Sequence, residues 1–586
     1  MAQTAWRADD FQGLTPAIDL RRTDKLFAMS GENYIFNSLG PLSAFGDRKL
    51  LPQPLGRPEH VQGCRLKLRS GDRTFTFEGN TILEWREDLG GWKVIYVTAN
   101  TTVSPYRWTY GYLNGKMYFC HPRTGLLVYD LSHDVCTRLV GAGVPSNPLA
   151  MCINNGRLVV IDDVYLSWSW QSDGSNFAPA LGQAGFQQIS DRVSGFPVMV
   201  TSYGKGVFVW TTGGLMRSEF TGDEAVYRHR NINTEYRMIN SFCWFQNDEN
   251  TVVILDERGL FKSQGEAPQP FAPLFNEFLI GYIAKNKLKL GQNVRLEWDD
   301  LQRLLYVSVS LSKTDPIYEK AYVYYPSLDK WGSFNQPHYG ILPITIPDST
   351  REGDYFGFVD SESALRIWRQ TGSREAAAPS AVGLDLRYPL IQKPTFTPEG
   401  TSSPTVSSSM VFNSFNEILY TQPAALYPRD GMTPEAAALQ PLDAKIRLGL
   451  IRIDGLNESN DQLTEMIQIM LGNVLSGEVD ELSVDFELIA DGIESEEYLE
   501  LINDPDFYED PLNYINHKIN LISSVDGSSE FMSAVPDLVQ FNKANRYYAC
   551  STVGIWHILE IEANEVGEMF HIRAFEMTGV YAGRLV

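Results

Sequence analysis

The chain has 586 residues, of which 43% are hydrophobic and 12% aromatic, and its formal net charge is −23. A chain of this length is too long for a single hydrophobic core, so we expect two or three domains. The apolar content argues against a globally disordered chain. The acidic balance argues against a protein that grips nucleic acid through clustered lysines and arginines. No apolar run of 18 residues and no basic-then-apolar leader occurs, so neither a membrane span nor a secretory signal is predicted.

Residues 1–60 form an N-terminal segment that we expect to pack with the C-terminal part of the chain. From 61 to 372 one pattern recurs, namely an apolar strand, a polar turn and two further strands. Polar turns such as LNGK and NNGR begin near 114, 155, 204, 248 and 300, at intervals of 41 to 52 residues. This spacing is typical of propeller blades. The sequence therefore predicts an all-β fold with a β-propeller of six or seven irregular blades at 61–372, and a pair of irregular β-sandwiches is the alternative.

Six cysteines are scattered through the chain without CxxC spacing, and no histidine lies near a cysteine pair at metal-ligand spacing. We therefore predict buried thiols rather than a zinc site, and no cofactor.

Two further regions follow the propeller. Residues 373–440 are rich in Pro, Ser, Thr and Ala and are predicted to be a linker with long loops. Residues 441–586 are predicted to form a second, β-rich platform domain, with strands at 444–455 and 462–472 and two long strands in 548–586. Because the polar ANEVGE stretch separates those last two strands, we expect them to pair as a hairpin. An acidic insertion at 477–511 contains a predicted short helix at 494–502.

Four stretches together resemble the tail nozzle proteins of short-tailed bacteriophages, also called tail tubular protein B or packaged-DNA stabilisation proteins. They are the segment DFQGLTPAIDLRRTDKLFAMSGENYIFNSLGPLSAFGDRKLL (10–51), YLSWSWQSDGSNFAPA (165–180), the run from VMVTSYGKGVFVWTTGGLMR (198–217) to ENTVVILDERGLFK (249–262), and HIRAFEMTGVYAGRL (571–585). The resemblance covers most of the chain, but the acidic insertion has no counterpart in the family pattern.

The resemblance implies a structural virion protein rather than an enzyme. It implies a cyclic homo-hexamer around a channel, docked on the tail adaptor protein, with tail fibres or spikes attached nearby. Such a ring retains packaged double-stranded DNA and conducts it during ejection, without sequence-specific binding. The location implied is the virion tail, assembled in the host cytoplasm.

The acidic insertion holds fourteen Asp or Glu residues and no Lys, Arg or His. A DNA conduit must not bind DNA, because each basic residue on its wall would neutralise a phosphate and hold the strand. Like charges in a narrow tube would repel the duplex if they lay within a screening length of it. An outward-facing solvated surface is the alternative. The candidate lining residues are Asp480, Glu481, Asp485, Glu487, Glu494, Glu496, Glu497 and Glu500.

A calcium site is a further alternative for the end of this insertion. Hard oxygen ligands suit Ca²⁺, although the loop lacks the ligand order and the glycine of an EF-hand. The candidate ligands are Asp504, Asp506, Glu509 and Asp510.

Two other functional classes compete with the nozzle hypothesis. SWQSDGSNF (169–177) has a superficial likeness to the Asp-box turn of sialidase propellers, and candidate substrate-binding arginines are Arg217, Arg228, Arg230 and Arg237. No GxSxG, HExxH or GxxxxGK[ST] motif occurs, so no catalytic residue is predicted. A propeller scaffold that binds other proteins through its faces, without a DNA role, is the second competitor.

Overall fold

The computed structural model describes residues 106–342, apart from 234, 248–250, 265–266, 291–292, 300–302 and 313–316. Outside that range it describes residues 33 and 68 and the strands bounded below. These residues contain 45 strands and one α-helix. Within them there is no helix with the length and apolarity that a membrane crossing needs.

Six short strands precede the propeller. They are β1 (Gln3–Ala8), β2 (Phe11–Leu14), β3 (Leu26–Glu32), β4 (Tyr34–Phe36), β5 (Leu42–Ala44) and β6 (Arg48–Leu50).

The central part of the described chain forms seven consecutive groups of antiparallel strands, which we number as blades 1 to 7. Blade 1 contains β7 (Gln62–Leu66), β8 (Arg73–Glu78), β9 (Thr81–Arg86) and β10 (Gly91–Val97). Blade 2 contains β11 (Thr109–Leu113), β12 (Lys116–His121), β13 (Gly125–Asp130) and β14 (Val135–Arg138). Blade 3 contains β15 (Ala150–Asn154), β16 (Arg157–Ile161), β17 (Tyr165–Trp168) and β18 (Gly185–Gln188).

Blades 4 to 7 continue the same order. Blade 4 contains β19 (Pro197–Ser202), β20 (Gly206–Thr211), β21 (Gly214–Phe220) and β22 (Tyr227–Asn233). Blade 5 contains β23 (Trp244–Gln246), β24 (Val252–Asp256), β25 (Gly259–Ser263) and β26 (Gln269–Pro270) and is followed by helix α1 (Pro273–Asn286). Blade 6 contains β27 (Val294–Asp299), β28 (Leu304–Val309), β29 (Lys320–Tyr325) and β30 (Lys330–Phe334). Blade 7 contains β31 (His338–Leu342), β32 (Phe356–Asp360) and β33 (Ile367–Gln370), and β6 from the N-terminal segment is its fourth strand.

The first strands of the blades lie side by side, which closes the seven groups into a ring. β11 lies beside β15, β15 beside β19, β23 beside β27, and β31 of the last blade beside β7 of the first. The prediction of an all-β propeller is therefore confirmed, with seven blades. Blade 7 closes with a strand from elsewhere in the chain, since Arg48, Lys49 and Leu50 pair with Gln370, Arg369 and Trp368.

The hydrophobic core lies between neighbouring blades. One cluster joins blades 1 and 2, another joins blades 2 and 3, a third runs through blades 3 to 5, and a fourth joins blades 5 and 6. Because a blade is covered on both faces, every residue of β16 and β20 is buried, and these strands lack a polar–apolar alternation. The predicted Asn-Gly turns are present, with positive φ at Asn114 and Gly115 and again at Asn155 and Gly156, as a two-residue hairpin loop requires.

Helix α1 was not predicted from the sequence. It buries Phe275, Phe278 and Leu279, and its aromatic rings pack on Tyr324 of β29 and Trp331 of β30. Apolar residues occur on most sides of this segment, so it lacks the polar face by which an amphipathic helix is recognised. Pro273 at the first turn was the available start signal.

The remaining strands follow blade 7. They are β34 (Leu390–Ile391), β35 (Met410–Phe412), β36 (Ile418–Tyr420), β37 (Leu426–Tyr427), β38 (Ala444–Arg452), β39 (Gln462–Asn473), β40 (Lys518–Ser524), β41 (Asp537–Leu538), β42 (Gln540–Asn542), β43 (Tyr547–Cys550), β44 (Trp556–Ala563) and β45 (His571–Arg584). β36 pairs with β10 and β35 pairs with β36, so two strands of the predicted linker extend blade 1 outward. The domain boundaries themselves stay predictions.

The N-terminal strands connect the propeller to the C-terminal sheets. β4 pairs with β30 of blade 6 and with β5, and β5 pairs with β45, which also pairs with β1 and β39. A single sheet of eleven strands therefore runs from blade 6 to β42. A second sheet has the order β2, β3, β38, β44, β40, β41.

The predicted hairpin at the C-terminus is wrong, although both of its strands exist. β44 pairs with β38 and β40, whereas β45 pairs with β1, β5 and β39 in the other large sheet. Side-chain charge accounts for the partner of β44. Lys445 and Arg447 on β38 face Glu562 and Glu560 on β44 in register and form ion pairs with them. Opposite charges directly across two strands stabilise that pairing.

Candidate functional site

The predicted site residues lie outside the described residues. This applies to the eight candidate lining acids, to the four candidate calcium ligands and to the helix predicted at 494–502. Each of these stays a prediction. Among the residues that the structure does describe, no group of three or more His, Cys, Asp or Glu side chains is arranged to hold a metal ion. Five cysteines (Cys64, Cys120, Cys136, Cys152 and Cys243) are buried thiols.

A buried polar site lies at the centre of the propeller. Arg107 lies just before β11 of blade 2, and its backbone N–H donates to Ser241 Oγ, which precedes blade 5, at 2.8 Å. Its guanidinium donates to the carbonyl oxygens of Trp244 at 2.9 Å and Leu296 at 3.2 Å, and to Glu297 Oε2 at 2.6 Å. In a ring of seven blades, blades 5 and 6 lie opposite blade 2, so these contacts cross the ring centre.

A second arginine approaches the same carboxylate from blade 6. Arg295 donates through Nε and Nη2 to Glu297 Oε1, at 2.6 and 2.5 Å. Its guanidinium also lies over the ring of Phe242, 4.8 Å from the centroid. Arg295 and Glu297 have no solvent exposure. We call Arg107, Arg295 and Glu297 the axial cluster.

The axial cluster is a buried ion-pair network with a structural role. Each carboxylate oxygen of Glu297 accepts from a different guanidinium, which is the geometry that compensates the cost of burying charge. The two arginines converge as substrate-binding arginines would, but the carboxylate that they hold belongs to the chain itself. The cluster therefore connects blades 2, 5 and 6 across the ring, and both arginines bind a carboxylate of the chain itself.

The segment that carries Arg107 is also fixed to blade 1. Gln62 on β7 donates through Nε2 to the carbonyl oxygen of Trp108 and accepts from the Trp108 N–H through Oε1, both at 2.9 Å. The indole of Trp108 stacks on His121 and on Phe77. The segment that contains Arg107 and Trp108 thus contacts blades 1, 5 and 6 as well as blade 2, and it connects these blades across the ring.

His338, at the start of β31, is a buried titratable group near the axial cluster. Its Nδ1 contacts the carbonyl oxygen of Gln336 at 2.7 Å, and its Nε2 contacts Ser308 Oγ at 2.9 Å. A carbonyl can only accept, so Nδ1 carries the hydrogen and Nε2 accepts from the serine hydroxyl. Burial, together with the nearby charge of Arg295 and against the hydrogen bond to Gln336, lowers the pKa of His338 to about 4.

We expect this histidine to make the fold acid-sensitive. A lowered pKa in the folded state contributes stability that is present above about pH 6.5 and is lost as the pH falls toward 4. Over that range the unfolding equilibrium constant should rise on the order of a hundredfold on account of His338. Urea titrations at pH 7, 5.5 and 4 measure this, with His338→Gln as the comparison. The same pH profile in both proteins would contradict the expectation.

Two of the arginines proposed for a sialidase-like site are cross-strand neighbours, since Arg217 on β21 is the register partner of Arg230 on β22. Arg217 donates to the Tyr203 hydroxyl at 3.0 Å and pairs with Glu219, and Arg237 lies 3.8 Å from Glu257. Arg228 and Arg230 are both on β22, the outermost strand of blade 4. Arg217, Arg228 and Arg230 are thus in the two outer strands of blade 4, whereas Arg237 lies in the segment between β22 and β23.

The SDGSN stretch is a turn that holds blade 3 against blade 2. The carboxylate of Asp173 accepts from the N–H of Ser175 at 3.1 Å, which closes the turn. The Ser175 hydroxyl contacts the Tyr118 hydroxyl on β12 at 3.2 Å, and Asn114 donates to the Ser172 carbonyl at 2.6 Å. These contacts account for the polar residues of the turn without a ligand.

No protein-family model matches the chain, and a search of curated proteins found no match. Among solved structures the chain is similar to YCF48 bound to D1 peptide, with 11% identity over 56% of this chain and 98% of that one and a TM-score of 0.35. It is also similar to the extracellular domain of the one-component system BT4673 from B. thetaiotaomicron, with 13% identity over 55% of this chain, 40% of that one and a TM-score of 0.34. Likenesses this distant carry no argument about function, and the propeller assignment depends on the strand pairing above.

Proposed function

We propose that this protein is a structural component of a bacteriophage tail, a nozzle that forms a hexameric ring, retains packaged DNA and conducts it during ejection. In this proposal the ring docks on a tail adaptor and carries fibres or spikes nearby, and the chain is not an enzyme. The basis is the family resemblance of four sequence stretches, together with two features of the described residues.

The first supporting feature is the axial cluster. Propellers that bind small ligands or substrates need free polar groups that converge on a pocket, and here the converging arginines are bound to Glu297. A propeller that its own side chains connect across the centre suits a load-bearing role. In this proposal the DNA path of the ring lies between subunits, outside the propeller.

The second supporting feature is the sheet that continues from blade 6 into the C-terminal strands through β4, β5 and β45. Backbone hydrogen bonds along eleven strands join the propeller to the C-terminal sheet more stiffly than a flexible linker would. A ring that contains DNA under pressure requires such stiffness within each subunit.

The proposed repulsive wall is tested by reversing charges in the acidic insertion. We expect the variant Glu481→Lys with Asp485→Lys to retain double-stranded DNA that the unaltered protein releases, because lysines on the wall would neutralise phosphates. Retention should weaken steeply with salt concentration, as counterion release demands. The measurement is a gel-shift titration at several salt concentrations, with particles inspected by negative-stain microscopy.

The matched control carries the same change in charge on the propeller, at the exposed acids Asp163 and Glu277. Asp163→Lys with Glu277→Lys should not retain DNA. Equal retention by both variants would show that charge alone, and not the position of the insertion, matters. A protein that stays monomeric at high concentration in the presence of the adaptor would contradict the proposed hexameric ring.

A further inference from the structure

Two carboxyl groups and one phenol meet in the seam between blades 1 and 2. Tyr129 on β13 places its hydroxyl 2.7 Å from Glu84 Oε2 on β9 and 2.5 Å from Asp134 Oδ1, in the turn after β13. Glu84 has no solvent exposure. We call Glu84, Tyr129 and Asp134 the carboxyl–phenol bridge.

The number of protons in this bridge is constrained by its hydrogen bonds. A phenol carries one hydrogen, so it can donate to one carboxylate oxygen and not to two. Its second contact with a carboxyl oxygen is favourable only if that carboxyl carries a hydrogen and donates it to the phenol oxygen. Without such a hydrogen, two oxygen lone pairs would face each other inside the protein, where an unmade hydrogen bond is costly.

The charged groups around the bridge decide which carboxyl holds the hydrogen. Asp134 forms an ion pair with Lys93 on β10 and lies 3.3 Å from Arg86 on β9. Burial opposes ionisation of Asp134, but the hydrogen bonds from Lys93 and Tyr129 and the nearby cations outweigh it and lower its pKa. Two cations and partial solvent access thus keep Asp134 ionised.

Glu84 has a less favourable environment for a charge. Arg73 on β8 donates to its Oε1 at 2.8 Å, while Arg86 stays 4.0 Å from Oε2. Lys93 is its register partner on β10 but directs its ammonium group to Asp134. Burial is the largest influence on Glu84 and raises its pKa, against the pull of Arg73, the Tyr129 hydrogen bond and Arg86. Oε2 is the oxygen that faces the phenol.

We propose that the folded chain binds one proton in this seam at neutral pH. Glu84 Oε2–H donates to the Tyr129 oxygen, and the Tyr129 hydroxyl donates to Asp134 Oδ1. The bridge is then a proton-dependent contact between blades 1 and 2, and loss of its proton places two oxygens with unshared electrons against each other. This proposal is independent of the proposed function.

The consequence for stability has a definite sign. A carboxyl whose pKa is raised on folding contributes stability that is fully present below its ordinary pKa of about 4.5 and is lost as the pH rises through the folded value. Above pH 4.5 unfolding therefore releases one proton from Glu84. The unfolding equilibrium constant of the full chain should gain up to a factor of about ten per pH unit from this one group.

Glu84→Gln is the decisive variant because a glutamine reproduces the protonated carboxyl. Its Nε2 donates to the Tyr129 oxygen as the acid hydrogen would, and its Oε1 still accepts from Arg73. We expect the variant to be more stable than the unaltered chain at pH 7, with a ratio of unfolding constants that widens by up to about tenfold per pH unit between pH 5 and 7. Urea titrations across that range measure it, with the exposed Glu277→Gln as the control that shows no such trend.

The opposite charge state gives the opposite result. If Glu84 is ionised in the folded chain, Glu84→Gln breaks the ion pair with Arg73 and is less stable than the unaltered chain at pH 7. The ratio of the two unfolding constants then does not widen with pH. A variant that fails to fold at pH 7 likewise contradicts the proposal. Infrared spectroscopy of the folded, unaltered chain at pH 7 is the second measurement. The carbonyl stretch of a protonated carboxylic acid should be present and should be missing in Glu84→Gln, and its absence from the unaltered chain would overturn the proposal.

Discussion

Replacing Glu297 with alanine should lower the free energy of unfolding by about 3–5 kcal/mol, the usual cost of removing one partner of a buried ion pair. The guanidinium groups of Arg107 and Arg295 would then lack their carboxylate, and Arg295 is fully buried while Arg107 is only 10% exposed. Because the contacts of Arg107 span the ring, the loss should weaken blades 2, 5 and 6 together rather than one blade. Urea titration followed by hydrogen exchange measures both the size and the location of the effect.

A matched control separates burial from charge. Glu277 is an exposed acid on α1, and Glu277→Ala should change stability by no more than about 0.5 kcal/mol, as surface substitutions usually do. Adding Arg295→Met to Glu297→Ala should recover part of the lost stability, since it removes one uncompensated buried charge. Equal effects of Glu297→Ala and Glu277→Ala would contradict the structural role of the axial cluster.

Deleting residues 2–50 should abolish cooperative folding of the propeller, a loss comparable with the roughly 5–15 kcal/mol that stabilises a typical protein. The deletion removes β6 from blade 7 and β4 from the edge of blade 6. It also removes Tyr34 and Phe36, which are buried at 0% and 1% exposure. Blade 7 would keep only β31, β32 and β33. This is the blade that closes the ring, because β31 lies beside β7 of blade 1.

Contacts around β4 explain why the propeller depends on this segment. Ser333 on β30 donates its hydroxyl hydrogen to the carbonyl of Gly31 at 2.7 Å, and the N–H of Asn335 donates to Asn33 Oδ1 at 2.8 Å. Deleting residues 2–8 removes only β1 and should leave the propeller cooperative, so it is the control. A chain without residues 2–50 that unfolds at the same urea concentration as the full chain would contradict this prediction.

The sequence predicted correctly those elements that are determined by residues close together in the chain. Asn-Gly turns with φ > 0, the period of about 40 to 50 residues and the apolar strands were visible in the sequence, and the seven sheets confirm the propeller that they indicated. Helix α1 was missed because its surface is apolar on most sides, so no periodic polar face marked it. The C-terminal hairpin was predicted wrongly because a polar stretch between two strands indicates a turn but does not say which strands pair.

The central site was not predictable from the sequence. Arg107 and Glu297 are 190 residues apart, and neither belongs to a motif. Only the closure of the ring brings the entry to blade 2 opposite the first strand of blade 6. The same holds for Glu84 and Tyr129, which lie 45 residues apart on adjacent blades and are ordinary strand residues in sequence.

The amino-acid sequence by itself determined the repeated antiparallel unit, its turns and the acidic character of residues 477–511, because each of these follows from residues that are neighbours in the chain. The tertiary structure alone decided the partners of the strands that pair with distant parts of the chain. It assigned β6 to blade 7, β44 and β45 to different sheets, and Glu297 to two arginines from different blades. The physical reason is that hydrogen bonds and buried charges are satisfied by whichever groups the closed ring brings together, and sequence distance does not enter into that choice.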